Sequence, residues 1–183
     1  MLFLIACLLL ASAIAQALEP TVADLDTLWY ARKQASNQTA TLSVKQMHVL
    51  RLDPGEDLLD SLWRYARVTG IRAASVVSVV GSLQRTNLRY ANQEEGRSLT
   101  GHFEIVSVTG NIDMQSENDG DGSGHIHMAV SDESGVTIGG HVLSGNIIYT
   151  TAEITLVEMG GLFDRVLDSG RGGSGYYELQ VHE

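Results

Sequence analysis

Residues 124–143 read GHIHMAVSDESGVTIGGHVL and carry the clearest structural pattern of the chain. Residues 133–135, Glu-Ser-Gly, match a three-residue β-hairpin loop in which Gly135 occupies the position that requires a positive φ angle. A loop of this length pairs Asp132 with Val136, and the same register brings His127 directly opposite His141. The stretch therefore predicts two antiparallel strands joined by a tight turn.

The alternation of side chains supports this register. Even-numbered positions on both predicted strands form an apolar face, made of Ile126, Met128, Val130, Val136, Ile138, Gly140 and Val142. A loop one residue shorter would turn His141 toward that face. In the predicted register His125, His127 and His141 share the other face, with His125 as the diagonal neighbour of the opposed pair. Opposed Cβ atoms lie about 4.5–5.5 Å apart, so the three imidazoles can reach one metal ion.

Three neutral imidazoles are a ligand set that suits Zn²⁺, with other divalent transition metals as alternatives. A three-histidine site keeps a fourth position for water or a small ligand, and we expect Gly139 and Gly140 to leave room beside it. Three carboxylates are candidates to orient a ligand or to act as general base: Glu153, Glu104 and Asp113. The alternative interpretation is a hydrogen-bonded polar cluster or a set of surface histidines.

Further strands lie on both sides of this hairpin in the sequence. Apolar runs and alternation predict them at 42–52, 73–80, 83–90, 103–108, 147–156 and 176–181. One principal helix is predicted from Glu56 to Thr69, over about residues 55–69, with apolar residues at i, i+4 spacing and Gly70 after its end. Many strands, one strong helix and no βαβ alternation predict an α+β class, a compact single domain with a mainly antiparallel sheet.

Taken together, these segments resemble the PPC (Plants and Prokaryotes Conserved) domain family over about residues 47–181. The G-H-x-H piece at 124–127 and the G-G-H piece at 139–141 are its most specific part, and the stretches 51–91, 101–112 and 175–179 extend it. The resemblance implies a compact α+β domain that assembles as a homotrimer. In prokaryote-type members, it implies a metal site at the three matching histidines.

Plant members of that family generally replace these histidines and carry an AT-hook that binds the minor groove of DNA. This chain keeps the histidines and contains no R-G-R-P core. Its formal net charge of −10 also opposes non-specific binding to nucleic acid or to anionic membranes. We therefore expect no nucleic-acid partner. Arg85 and Arg89 alternate on one predicted strand, where we expect intersubunit salt bridges rather than an anion site.

The N-terminal residues 1–17 read MLFLIACLLLASAIAQA, which is typical of a cleavable secretory signal peptide. The apolar run is shorter than the roughly 20 residues of a membrane-spanning helix, although an uncleaved anchor or a buried N-terminal helix is the alternative. The predicted organisation is a signal at 1–17, an N-terminal extension at 18–41 and a PPC-like domain at 42–183. The lone Cys7 lies in the signal, Asn37 begins an N-glycosylation sequon, and Thr21 with Asp24 resembles a capping box.

The function that the sequence predicts is a secreted, trimeric metal-binding domain. It binds Zn²⁺ and a small ligand at the three-histidine site, has no defined activity, and needs no membrane after signal cleavage. One alternative is a metal-dependent hydrolase or lyase that uses zinc-bound water. The other is a non-catalytic oligomerisation or protein-interaction module. The sequence does not decide between binding and catalysis.

Overall fold

The computed structural model of the 183-residue chain describes residues 21–36, 38–114, 123–160, 162–168 and 175–182. The chain divides into two compact units, 1–39 and 40–183. The first contains helix α1 (Val22–Ala35), and the predicted capping box is confirmed. The Thr21 hydroxyl accepts from the Asp24 amide at 3.2 Å, and the Asp24 carboxylate accepts from the Thr21 amide at 3.0 Å. The predicted signal peptide and Asn37 lie outside the described residues. Among the described helices, none has the length and apolar character needed to cross a membrane.

The second unit is built around antiparallel strands. Its described elements are β1 (Val44–Leu52), α2 (Leu58–Thr69), β2 (Ala73–Arg89), β3 (Arg97–Asp113), β4 (Ser123–Ser131), β5 (Thr137–Val142), β6 (Ile147–Met159), β7 (Leu162–Leu167) and β8 (Tyr177–His182). The first six strands form one sheet in the order β1-β6-β2-β3-β4-β5, and β7 with β8 forms a second. All of these pairings are antiparallel, which confirms the predicted fold class.

Strand β5 pairs with β2 as well as with β4, so that β2, β3, β4 and β5 close on themselves. The closing contact is short, because it consists of Leu88 opposite Val142 and Arg89 opposite His141. We call this contact the β2–β5 seam. It places one of the predicted metal ligands at the junction of the closed strands.

Helix α2 begins two residues later than the sequence predicts, because Asp57 caps it instead of joining it. The Asp57 backbone is extended, and its carboxylate accepts from the amides of Leu59 and Asp60 at 3.0 and 3.1 Å. The helix ends at Gly70 in the left-handed conformation, as predicted. Three of its apolar side chains are fully buried in the core, and burying one leucine stabilises the fold by about 1.5–3 kcal/mol. They are Leu58, Leu62 and Ala66.

Several strands are longer than the sequence pattern predicts. Residues 73–89 form one strand, not the two predicted around Gly81, because the ladder shifts register between Gly81 and Leu83 and then continues. Strand β3 also includes the polar residues 97–102. Strand β7 was not predicted, since its sequence LFDRVL lacks regular alternation.

A buried polar cluster joins β1, β6 and α2. Glu158 is 5% exposed and His48 is 8% exposed. Glu158 accepts from Lys45 Nζ at 2.6 Å, and its other oxygen lies 3.3 Å from His48 Nε2. Because a carboxylate only accepts, Nε2 of His48 carries the hydrogen in this contact. The other ring nitrogen of His48, Nδ1, lies 3.1 Å from the Tyr65 hydroxyl. Burial raises the pKa of Glu158, but the hydrogen bonds from Lys45 and His48 outweigh it and lower that pKa below 4.5.

We expect Glu158→Gln to lower the free energy of unfolding by about 1–2 kcal/mol at pH 7, because charge-assisted hydrogen bonds are lost. A carboxyl whose pKa is lower in the folded state stabilises the protein above its unfolded pKa and loses this effect as the pH falls through the folded pKa. The gap between wild type and variant should therefore narrow as the pH falls below the unfolded pKa of the carboxyl and through its lowered folded pKa. Urea unfolding at pH 7 and at a series of lower pH values measures this gap. Glu153→Gln, on the exposed face of the same strand, is the matched control. An equal loss of unfolding free energy in this control would show that the Glu158 hydrogen bonds are not the cause.

Candidate metal centre

The β4–β5 hairpin has the predicted turn and register. Gly135 has a φ angle of +79°, and its amide donates to the Asp132 carbonyl at 2.9 Å. The Asp132 amide donates to the Val136 carbonyl at 3.0 Å, which closes the three-residue loop. His127 pairs with His141 across the strands. The register predicted from turn chemistry and alternation is therefore confirmed.

The two faces of the hairpin differ as predicted. The apolar face is buried at Ile126, Met128, Val130 and Val142, with exposed fractions between 0% and 3%. Val136 departs from the pattern because it lies beside the turn, and it is 59% exposed. His125 and His127 are exposed on the opposite face, and His141 is partly buried. The histidine face is thus open to a ligand, while the other face anchors the hairpin in the core.

The three imidazoles converge. One ring nitrogen from each lies within 4.8 Å of the other two. Nε2 of His125 lies 3.1 Å from Nε2 of His127, and the ring centroids are 4.8–5.6 Å apart. Zinc–nitrogen bonds of about 2.0–2.1 Å in tetrahedral geometry separate ligand nitrogens by about 3.4 Å. One pair lies close to this separation, and small side-chain rotations bring the third nitrogen to it. The donor set therefore fits a transition metal.

The local electrostatics favour the neutral imidazoles that a metal requires. Burial, with the positive charge of Arg89 as the next cause, lowers the pKa of His141 to about 4. Burial also lowers the pKa of His125, assisted by the charge of Arg165 and opposed by that of Glu178. Both imidazoles are consequently neutral at pH 7 and can donate a lone pair without first releasing a proton.

Gly140 allows the close approach of the two strands at the β2–β5 seam, and it is not needed for ligand access. A Cβ atom at this position would lie 2.6 Å from the Arg89 carbonyl oxygen, closer than two strands can tolerate. This corrects the expectation that both glycines leave room beside the ligands. Gly139 is exposed at an odd-numbered position, on the histidine face, in agreement with that expectation.

The three candidate carboxylates occupy different places. Glu104 pairs with Ser131, four residues along β4 from His127, or about 13 Å at the rise of a strand. Glu153 is exposed on β6, opposite Arg51. Asp113 is buried and accepts from the Arg165 amide at 3.0 Å. The structure therefore brings Asp113 close to the site, as the support of a neighbouring strand, and places the two glutamates elsewhere.

The sequence interpretation missed Arg165 and Glu178, which come from β7 and β8. Burial is the main cause that lowers the pKa of His125, and the charge of Arg165 adds to this effect while that of Glu178 opposes it. Arg89, which we expected to form intersubunit salt bridges, lies opposite His141. The sequence contained one indication of these residues, because Glu178 lies within 175–179, one of the stretches that resemble the PPC family.

Residues 39–160 match a family model described as the Plants and Prokaryotes Conserved (PCC) domain. The chain belongs to this family. The resemblance drawn from the hairpin and its flanking segments is thereby confirmed. Family membership establishes the fold, whereas the chemistry depends on the site that this chain carries.

Relatives of this PPC protein include the Bifunctional protein GlmU of Synechococcus sp. (strain JA-3-3Ab), 38% identical over 139 residues, which are 75% of this chain and 21% of that protein. The chain thus spans about a fifth of that relative's length. A solved hypothetical protein from Salmonella cholerae-suis has a TM-score of 0.69 and 34% identity over 78% of this chain and 96% of its own. A metal-containing protein from Archaeoglobus fulgidus has a TM-score of 0.64 and 26% identity over 76% of this chain and 96% of its own.

One relative stands in tension with the expectation of no nucleic-acid partner. The AT-hook motif nuclear-localized protein 29 of Arabidopsis thaliana is 32% identical over 128 residues, which cover 62% of this chain and 41% of that protein. Its name refers to the AT-hook, and no R-G-R-P core occurs in the present sequence.

Proposed function

We propose that this PPC domain binds one zinc ion per chain through His125, His127 and His141, and binds a small ligand beside it. The observation that carries the proposal is the convergence of three ring nitrogens within 4.8 Å on one accessible face. The lowered pKa of His141, at about 4, supports it because the imidazole need not lose a proton first. The metal-containing relative from Archaeoglobus fulgidus gives independent support.

Zinc is the metal we propose because a site of three imidazoles suits this ion best. When bound, the ion supplies Lewis acidity toward the ligand. The chain's own residues hold the ion, keep the imidazoles neutral and leave the exposed side open. The hydrolase or lyase alternative gains no support from the predicted bases Glu104 and Glu153, which lie away from the histidines. The third candidate, Asp113, is buried and accepts from the Arg165 amide. Ligand binding without turnover is therefore the function that the geometry supports best.

The test is a zinc titration of metal-depleted full-length protein, with elemental analysis after gel filtration. We expect about one zinc ion per chain. A content below about one ion in ten chains after loading would overturn the proposal. Parallel titrations with Co²⁺, Ni²⁺ and Cu²⁺ rank the metals, with copper expected above zinc by intrinsic affinity alone.

We also propose that the protein self-associates as a homotrimer through an outer valine patch, made of Val80 and Val106. These side chains are 63% and 56% exposed within the described part of the chain. Val76 pairs with Gly110 and Ser82 with Glu104, a register that places Val80 opposite Val106. Exposed apolar clusters of this kind are typical of protein interfaces. The number of subunits comes from the family resemblance.

We expect Val80→Glu to convert the assembly to monomers, because a charge would be buried without a partner at the interface. Light scattering coupled to gel filtration measures the mass of each species. Val136→Glu, at the hairpin turn, is the matched control, since Val136 is 59% exposed. A monomeric wild type would overturn the assembly, and an unchanged trimer in Val80→Glu would exclude this patch.

We propose that residues 1–17 direct secretion. We also propose that Asn37 is glycosylated in a eukaryotic secretory pathway. Finally, we propose that the mature chain does not bind nucleic acid. The apolar leader and the net charge of −10 support these proposals. N-terminal sequencing and intact mass of protein recovered from the medium test the first two. A gel-shift assay with AT-rich duplex DNA tests the third, and a shift at physiological salt would overturn it.

A further inference from the structure

Arg89 lies at one end of the histidine cluster. It is the β2 residue that pairs with His141 across the seam. Directly paired residues of antiparallel strands point to the same face, with Cβ atoms about 4.5–5.5 Å apart. The Arg89 side chain therefore starts beside the His141 imidazole, on the face that carries the other two histidines.

Arg165 lies at the other end. Its amide donates to Asp113 Oδ2 at 3.0 Å. Asp113 in turn pairs with Ser123, two residues before His125 on β4. On β7, Arg165 shares a face with Phe163, which is 3% exposed, so this face turns toward the domain. The guanidinium is half-buried, and it also donates to the Tyr177 carbonyl.

With a divalent ion bound, the site around the histidines would carry an excess of positive charge that a ligand could neutralise. Two arginines carry positive charge, while Glu178 and Asp113 carry negative charge, so these four side chains cancel. The three histidines are neutral when they bind a metal. A divalent ion therefore brings a net charge of about 2+ to a partly buried site, where an uncompensated charge is costly. Asp113 is buried, and its Oδ2 accepts from the Arg165 amide.

We propose that Arg89 and Arg165 form an anion subsite beside the three histidines, so that the small ligand of this protein bears an oxyanion, either a carboxylate or a phosphate. This inference rests on the proposed metal-binding function and specifies its ligand class. A planar guanidinium presents paired N–H groups that match the two oxygens of either group. One arginine at each end would orient the anion across the histidine face. The remainder of the ligand would project toward solvent past the exposed His125 and His127.

The test measures zinc content and anion affinity on the same samples. Zinc-loaded wild-type protein is titrated calorimetrically with acetate and with inorganic phosphate, and with acetamide as the uncharged counterpart of acetate. The variants are Arg89→Gln and Arg165→Gln. Arg85→Gln, on the same strand as Arg89, is the matched control. Arg165→Lys retains the positive charge but lacks the paired N–H groups of a planar guanidinium. Circular dichroism confirms that each variant is folded.

We expect the wild type to bind at least one of the two anions and not acetamide, and the tighter anion identifies the ligand class. Each glutamine variant should keep about one zinc ion per chain and bind the anion roughly 10-fold more weakly or worse, the loss expected for a charged hydrogen bond. Arg85→Gln should bind as the wild type does, and Arg165→Lys should lie between.

Zinc-loaded protein that binds neither anion, or glutamine variants that bind as tightly as the wild type, would overturn the anion subsite and leave the metal proposal intact. Wild-type protein that holds no zinc would instead overturn the proposed function. In that case titration of the metal-free protein decides the subsite separately: anion binding lost in both glutamine variants supports it, and absence of anion binding overturns it. Loss of zinc from the glutamine variants would show that the arginines support the metal rather than the ligand, and would also overturn the inference.

Discussion

His127→Ala is expected to abolish stoichiometric zinc binding and to leave the fold intact. His127 is the central ligand, since its Nε2 lies 3.1 Å from that of His125 and its backbone pairs with His141. Loss of a residue that merely supports a ligand weakens metal binding by about 10–100-fold, so loss of a ligand itself should cost roughly 100-fold or more. The side chain is exposed, and its removal creates no cavity in the core.

Two measurements check this prediction. Elemental analysis should fall from about one zinc ion per chain to near zero. Zinc at 100 times its dissociation constant should stabilise the wild type by about 2.7 kcal/mol and should not stabilise the variant at the same concentration. His102→Ala is the control, because His102 is exposed and stacks on Tyr149, with ring centroids 4.0 Å apart. Undiminished zinc binding by His127→Ala would exclude the proposed ligand set.

Gly140→Ala should destabilise the protein by about 2–3 kcal/mol, the cost typical of forcing an atom into a packed interior. The added methyl would meet the Arg89 carbonyl oxygen at 2.6 Å, and this oxygen belongs to backbone that cannot rotate away. The strands of the seam must then separate, which also moves His141. We therefore expect weaker zinc binding together with the loss of stability.

Gly139→Ala separates this steric effect from a general effect of alanine in β5. Its Cβ would lie 3.1 Å from the Met128 carbonyl oxygen, a contact that a shift of a few tenths of an ångström relieves. Since alanine also reduces the entropy of the unfolded chain, the change in unfolding free energy should stay within about 1 kcal/mol. Equal effects of the two variants in urea unfolding would show that close approach at the seam is not the reason for Gly140.

The hairpin could be predicted in detail because its determinants are local. The loop length fixes the register of β4 and β5, and a one-residue slip would expose the whole apolar face. The same local logic predicts the capping box at Thr21 and the end of α2 at Gly70. For α2 only the first turn differs, because the Asp57 carboxylate caps the helix and so cannot be part of it.

The missed features depend on contacts between residues that are distant in sequence. Arg165 reaches the site because its amide bonds to Asp113, 52 residues earlier, and no spacing rule contains that contact. Arg89 reaches it through the seam with β5. The positions of Glu104 and Glu153 depend on long-range register in the same way, and this register places both away from the histidines.

The β2–β5 seam has a consequence for the order of events during folding. All three histidines belong to one hairpin, and hairpins form within roughly 1–10 μs. The seam joins Arg89 to His141, so it must close a long loop, and such non-local pairing is the slow step of folding for β-rich proteins. We therefore expect fast local contacts to assemble the ligand set before the β2–β5 seam closes. Metal capture by a nascent hairpin would then guide the closure of the sheet, and a brief opening of the seam need not release the ion.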